Sequence, residues 1–149
     1  MKKRKTPENE FSCEFMSRSV NESFARSLIS AFVAPLDPDL EELTDIRTAV
    51  SEAVTNCIVH AYRERSGLVY ISAKLYSDRT VVIRVRDKGC GIPDVKTAMK
   101  PLYTTDKGGE RGGMGFTIMQ SFTDRLRVTS KEGKGTSVTM SKKLKDPHD

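Results

Sequence analysis

From Asp39 to Tyr62 the chain contains neither glycine nor proline, and Leu43, Ile46, Val50, Ala53, Val54, Cys57 and Ala61 recur along it at helical spacing. A run of that length with one apolar stripe predicts a long amphipathic helix. Its stripe needs a sheet or other helices to cover it. The flanking sequence supplies both. Phe24, Ala25, Leu28, Ile29 and Phe32 predict an earlier helix that ends near Ala34-Pro35. Phe11, Cys13 and Phe15 alternate with polar neighbours as an opening strand. Val69, Ile71, Ala73 and Leu75 alternate in a second strand and Val81, Ile83 and Val85 in a third, with Ser77 to Arg79 as the turn between them. Leu126 and Val128, then Val138 and Met140, predict a last hairpin around Glu132-Gly-Lys-Gly135. Short helices are expected near Pro93 to Met99 and from Met114 to about Phe122.

Two helix starts carry local signals. Ser19-Val-Asn-Glu22 has the form of a capping box. Asp37-Pro38 places an aspartate cap before a proline in the first turn. With 149 residues, no repeats and no linker, the expectation is one α+β domain spanning 1–149. It should have a mostly antiparallel sheet with helices on one face, and residues 1–10 and 143–149 as tails.

Composition removes several function classes. No apolar stretch is long enough to span a membrane, and the basic start Met1-Lys-Lys-Arg-Lys-Thr has no apolar run behind it, as a signal peptide would. Cys13, Cys57 and Cys90 are odd in number and widely spaced, which argues against zinc or a disulfide framework and for a reducing, cytoplasmic setting. The net charge of +5 is concentrated partly in Lys2 to Lys5 and Lys142 to Lys145. No DNA-binding motif accompanies these runs, so they read as solvated ends rather than a nucleic-acid surface.

Glu52, Asn56 and His60 follow one another at intervals of four, in a row away from the apolar stripe. On a helix alone such a row reads as a solvated face. It also suits a site: an asparagine oxygen is a neutral hard ligand fit for Mg²⁺, and a glutamate one turn earlier can accept a proton from an attacking hydroxyl. Asp87 shares a strand face with Val81, Ile83 and Val85, so the third strand aims a carboxylate inward. A buried carboxylate needs a donor, either a structural arginine or a ligand. Gly89 and Gly91 favour a ligand, because they let backbone approach a flat ring closely. Thr136 lies on one face with Val138 and Met140, which by itself fits a packed β-branched residue.

Gly112-Gly-Met-Gly-Phe116 opens a predicted helix with free backbone amides, an arrangement suited to anions. It is neither a Walker P-loop nor a dinucleotide fingerprint. Lys107 and Arg111 flank it, either as part of a charged loop or within reach of a β- or γ-phosphate.

Taken in order, Glu52-x-x-x-Asn56, Asp87-Lys-Gly89-Cys-Gly91 and Gly112-Gly-Met-Gly-Phe116 resemble the N, G1 and G2 boxes of the GHKL ATPases, whose Bergerat fold is a two-layer sandwich. Phe24-Ala-Arg26, Ser51-Glu-Ala-Val-Thr-Asn56, Pro101-Leu-Tyr-Thr-Thr105 and Gly113-Met-Gly-Phe-Thr-Ile-Met119 are similar to the bacterial anti-sigma serine kinases, from about Phe11 to Lys142. The sporulation type is the nearer and the general-stress type the alternative. The resemblance implies ATP or ADP with Mg²⁺ as ligand, Glu52 as base and Asn56 on the metal. It implies Asp87 on the adenine amino group and Thr136 on the adenine through water. It also places His60, Gly89, Gly91, Thr104, Thr105, Lys107, Arg111, Gly113, Met114, Gly115 and Phe116 around the nucleotide, with residues 94–113 as a lid. Arg26 would meet a protein partner, although an arginine on a helix otherwise reads as ordinary solvated charge. The implied partners are a sigma factor, an anti-anti-sigma protein phosphorylated on serine, and a second copy of the chain. Without an upstream helix pair bearing an acceptor histidine, and with His60 and His148 poorly placed for that role, a histidine kinase is not expected. Cys90 departs from the pattern without a reading of its own.

Overall fold

A computed structural model describes residues 6–63, 65–100 and 115–147. Five strands form one antiparallel sheet: β1 (Asn9–Met16), β2 (Leu68–Leu75), β3 (Thr80–Arg86), β4 (Arg125–Lys131) and β5 (Gly135–Lys143), in spatial order β1-β2-β3-β5-β4. The last strand therefore sits inside the sheet, between β3 and β4. Helices α1 (Val20–Val33), α2 (Leu40–Thr55), α3 (Val95–Ala98) and α4 (Phe116–Phe122) complete the domain.

The period-two pattern fixes which sheet face the helices cover. Ile71 pairs with Val85, Ala73 with Ile83, Ile83 with Met140 and Val85 with Val138, so one face is continuously apolar. Ile29 and Val33 of α1, Ile46, Val50 and Val54 of α2 and Met119 of α4 are buried in the same cluster. The opposite face carries Ser12, Tyr70, Arg84, Thr139 and Arg127, and no helix among the described residues covers it. There Arg86 and Lys88 each lie about 5 Å from the centre of the Tyr70 ring.

The predicted strands and helices are present, with corrections at their ends. Ser19 makes no side-chain cap bond; Glu22 instead takes the Ser51 hydroxyl and pairs with Arg26 at 3.3 Å. A tertiary partner has captured the side chain that a capping box requires. The cap of α2 is Asp39 rather than Asp37. Asp39 Oδ1 accepts from the Glu42 amide at 2.7 Å, and Glu42 returns a carboxylate oxygen to the Asp39 amide at 3.1 Å. Asp37 lies in the left-handed region (φ 49°) and closes the 3₁₀ turn Ala34–Leu36. The other oxygen of Glu42 accepts from the Lys145 amide at 2.7 Å, which ties the chain beyond β5 to α2. Order at the two ends also reaches further than the expected tails: β1 starts at Asn9, and Leu144 is buried in the core.

The long Gly-free run is not one α-helix. From Asn56 to Ala61 it widens into a π-helix, and the Tyr62 amide donates to the Cys57 carbonyl five residues back. Such widened turns cluster at functional sites. This one carries Asn56 and His60.

Candidate functional site

Where β3 runs out, Asp87 is 6% exposed. Its Oδ1 accepts from the Gly89 amide at 2.9 Å and the Thr136 amide at 3.2 Å. The Asp87 amide donates to the Thr136 carbonyl at 2.9 Å, so the β3–β5 pairing holds the carboxylate in place. Burial raises the Asp87 pKa above its ordinary value. The Gly89 amide, the Cys57 thiol and the Thr136 amide pull the other way without cancelling that rise.

Asp87 lines a narrow cleft between the sheet and the helices. Val85, Val138, Ile92 and Phe116 form apolar walls, while Asn56, His60 and Thr136 bring polar groups to it. The cleft is narrow, with about 20 Å³ of free space. A wider concavity of about 360 Å³ on the uncovered sheet face, around Tyr70, Arg84 and Arg86, contains no buried acid. The chemistry therefore points to the cleft despite its size.

Glycines at this site serve close backbone packing. A Cβ on Gly89 would overlap the Ala61 carbonyl, and the Cys90 amide donates to that same oxygen at 3.0 Å. Gly91 (φ +75°) lies against the Lys131 carbonyl. The crowding that excludes a Cβ at both positions comes from the protein's own backbone. Gly115 (φ +72°) lies directly against the Glu52 carboxylate, which brings the first and third sequence boxes into contact.

Asn56 and His60 reach the cleft from the π-helix. The Asn56 side-chain nitrogen is buried without a hydrogen-bond partner among the described residues. Glu52, one turn earlier, lines a groove of about 350 Å³ between α1 and α2, and Arg26 lines the same groove. The row predicted from sequence is thus divided, with Asn56 and His60 lining the cleft and Glu52 lining the groove. Thr104, Thr105, Lys107, Arg111, Gly113 and Met114 lie outside the described residues, as does His148.

Two supporting residues, Ser130 and Tyr62, escaped the sequence reading of the site, and a third, Cys57, was read there only as part of the apolar stripe. Ser130 Oγ accepts from the Ile92 amide at 2.8 Å, donates to the Gly135 carbonyl at 3.0 Å and lies 2.8 Å from Thr136 Oγ1. Its register opposite Thr136 is the only signal for it, and that register follows from the hairpin turn. Tyr62 Oη accepts from the Lys88 amide at 2.8 Å and donates to the Leu68 carbonyl at 2.5 Å, which fixes the turn after Asp87. Cys57, 3% exposed, forms part of the cleft, and burial followed by the nearby Asp87 charge pushes its thiol pKa well up.

Among the described residues no group of three or more His, Cys, Asp or Glu side chains could hold a metal. The site fits a metal only if most ligands come from phosphate and water, with the Asn56 side-chain oxygen as the protein's contribution; the unpartnered Asn56 nitrogen is a donor and suits an acceptor such as a phosphate oxygen, not the metal. No helix among the described residues is long and apolar enough to cross a membrane.

A sheet with helices on one face, a buried aspartate at the end of a central strand and an asparagine on the facing helix define a class of nucleotide-binding domain. Residues 17–142 match the family model of the histidine kinase-like ATPase domain. The chain is 54% identical over 134 residues to the anti-sigma F factor of Caldanaerobacter subterraneus subsp. tengcongensis, covering 90% of this chain and 93% of that protein. It is 53% identical over 138 residues to the anti-sigma F factor of Clostridium novyi, covering 92% and 96%. The chain belongs to the histidine kinase-like ATPase family, on its anti-sigma F factor branch.

Solved structures share the fold at low identity. The RsbU and RsbW domains of a Mycobacterium tuberculosis protein superpose with a TM-score of 0.68 at 20% identity, over 93% of this chain and 33% of that one. The catalytic domain of the histidine kinase ThkA does so at 0.55 and 17%, over 90% and 96%.

Proposed function

We propose that the chain binds MgATP in the Asp87 cleft, inhibits a sporulation sigma factor while nucleotide is bound, and transfers the γ-phosphate to a serine of an anti-anti-sigma protein. The observation that supports this most is the juxtaposition around α2. A buried carboxylate reads one end of the cleft, and Glu52 stands beside Gly115 and lines the groove between α1 and α2. In this reading Asp87 accepts from the adenine amino group through the oxygen that its two backbone donors leave free, and Thr136 holds the ring through water. Asn56 meets the metal, which would neutralise the β- and γ-phosphate oxygens. Gly89, Gly91, Gly115, Phe116 and His60 shape the nucleotide site. The segment with Thr104, Thr105, Lys107, Arg111, Gly113 and Met114 supplies phosphate contacts.

Transfer is then an in-line displacement. The serine oxygen bonds to the γ-phosphorus as its proton passes to Glu52, the bond to the β,γ-bridging oxygen breaks, and ADP leaves. Glu52 favours a kinase over a purely nucleotide-gated clamp, since a clamp has no use for a base. The proposal includes a homodimer acting in the cytoplasm, and mass in solution tests the self-association. A general-stress sigma factor is the alternative partner within the same chemistry.

Transfer of labelled γ-phosphate to the antagonist, wild type beside Glu52→Gln, tests the reading. Label on serine that vanishes in the variant supports it. Wild type that retains ATP but transfers nothing rejects the kinase and leaves the clamp.

A further inference from the structure

The groove between α1 and α2 has features that nucleotide chemistry does not use. Leu40, 81% exposed, and Leu43 lie toward one end and Glu52 toward the other, with Arg47 and Thr48 between. Two guanidinium groups line it. That of Arg26 is already paired with Glu22, which also takes the Ser51 hydroxyl. Arg47 has no ion-pair partner among the described residues. The groove therefore offers an uncompensated positive charge part-way along it and an exposed leucine at its far end. It is continuous with the carboxylate assigned the acceptor's proton.

We infer that this groove seats the extended, acidic segment of the protein substrate that carries the acceptor serine, with Arg47 as its specificity-determining contact. This rests on the phosphoryl-transfer reading above and adds where the acceptor chain lies and what it must contain. Distances along α2 set the spacing. At about 1.5 Å per residue, Arg47 lies about 7.5 Å along the axis from Glu52, and Leu43 and Leu40 about 13–18 Å. An extended chain advances about 3.3 Å per residue. A serine at Glu52 thus puts the residue about two positions away beside Arg47, where an aspartate or glutamate fits. It puts the residues about four to five positions away on Leu43 and Leu40, where an apolar side chain fits. The groove volume of about 350 Å³ suits a few side chains in single file rather than a helix. Charge complementarity at Arg47 and continuity with Glu52 select this occupant over a second copy of the chain.

The test is steady-state transfer to the antagonist protein at varied acceptor concentration, for wild type, Arg47→Lys and Arg47→Glu, with ATP affinity measured alongside. Arg47→Glu should raise KM for the acceptor at least about tenfold, leave kcat within about twofold and leave ATP affinity unchanged. Arg47→Lys should keep most of the wild-type KM. Salt should raise the wild-type KM and lose that effect in Arg47→Glu, because a long-range charge attraction is screened. Replacing the acidic residue two positions from the acceptor serine by lysine should restore KM to Arg47→Glu. An unchanged KM in Arg47→Glu overturns the inference while leaving the kinase reading intact, and so does a parallel fall in ATP affinity. Absence of transfer by wild type overturns the kinase reading and this inference with it.

Discussion

Replacing Asp87 by asparagine is the sharpest perturbation of the cleft, because it changes chemistry at nearly constant shape. Oδ1 keeps both of its backbone donors, the Gly89 and Thr136 amides at 2.9 and 3.2 Å. The second oxygen becomes an NH₂ group. In the proposed complex that position accepts from the adenine amino group, so the variant loses a hydrogen bond to a charged acceptor, worth about 1.5–3 kcal/mol. It also sets two donors against each other, at a further cost of about 1–2 kcal/mol. The sum, about 2.5–5 kcal/mol, predicts on the order of 10²–10⁴-fold weaker ATP binding. Folding should not suffer. Burial raises the Asp87 pKa, so the folded state binds the proton more tightly than the unfolded chain does. The ionised group therefore costs stability above the raised value, and that cost is relieved as pH falls toward the ordinary 3.8. Asparagine removes the cost altogether. Calorimetric titration with ATP, beside a thermal melt, measures both quantities. Binding within about threefold of wild type, with the melt unchanged, refutes the assignment of Asp87 to the adenine. The pH dependence adds a second check: wild-type affinity should fall as pH drops through the raised Asp87 pKa, and that arm should be missing from the variant.

Glu52→Gln should bind ATP as wild type does and lose serine transfer by about 10²–10⁴-fold, a range set by general base catalysis; rapid-quench assays read it, and near-normal turnover refutes the base. Gly115→Ala places a Cβ against the Glu52 carboxylate at φ +72°, at a backbone cost of about 1–2 kcal/mol. Its kcat should drop more than its ATP affinity, and equal losses in both would show that Gly115 supports the fold rather than Glu52. Asp39→Ala removes the cap of α2 and should cost about 0.5–2 kcal/mol in denaturant unfolding with ATP affinity unaltered. Tyr62→Phe strands the Lys88 amide beside Asp87 and should weaken ATP binding several-fold along with stability.

Periodicity made the sheet and the core side of α2 readable, because an alternating or helical apolar pattern reports which face meets the core. The inward aim of Asp87 followed from the same alternation. What the pattern missed has a common physical origin in side chains whose partners are distant in sequence. Glu22 was assigned to a local cap, yet Ser51 and Arg26 hold it. Glu42, 6% exposed, is buried because it bonds the Lys145 amide as well as its own cap. Ser130 and Tyr62 look like ordinary strand and helix-end residues until β5 and the Asp87 turn are brought against them. The π-helix gave no signal, since one extra residue per turn leaves Asn56 and His60 on nearly the same side. Gly89 and Gly91 were recognised as necessary, but the atoms that crowd them belong to Ala61 and Lys131.

The place of β5 inside the sheet has a consequence for biosynthesis. Chains emerge from the ribosome N-terminal end first, and domains gather as they appear. Here β3, which ends just before Asp87, cannot gain its second neighbour until residues 135–143 have left the exit tunnel. Until then the Asp87 carboxylate has no Thr136 amide, and β4 has no partner strand among the described elements. Until that hairpin emerges the nascent chain keeps an open sheet edge beside β3 and a cleft without its Thr136 wall. Closure of the final hairpin, rather than the appearance of β3, therefore completes the cleft around Asp87.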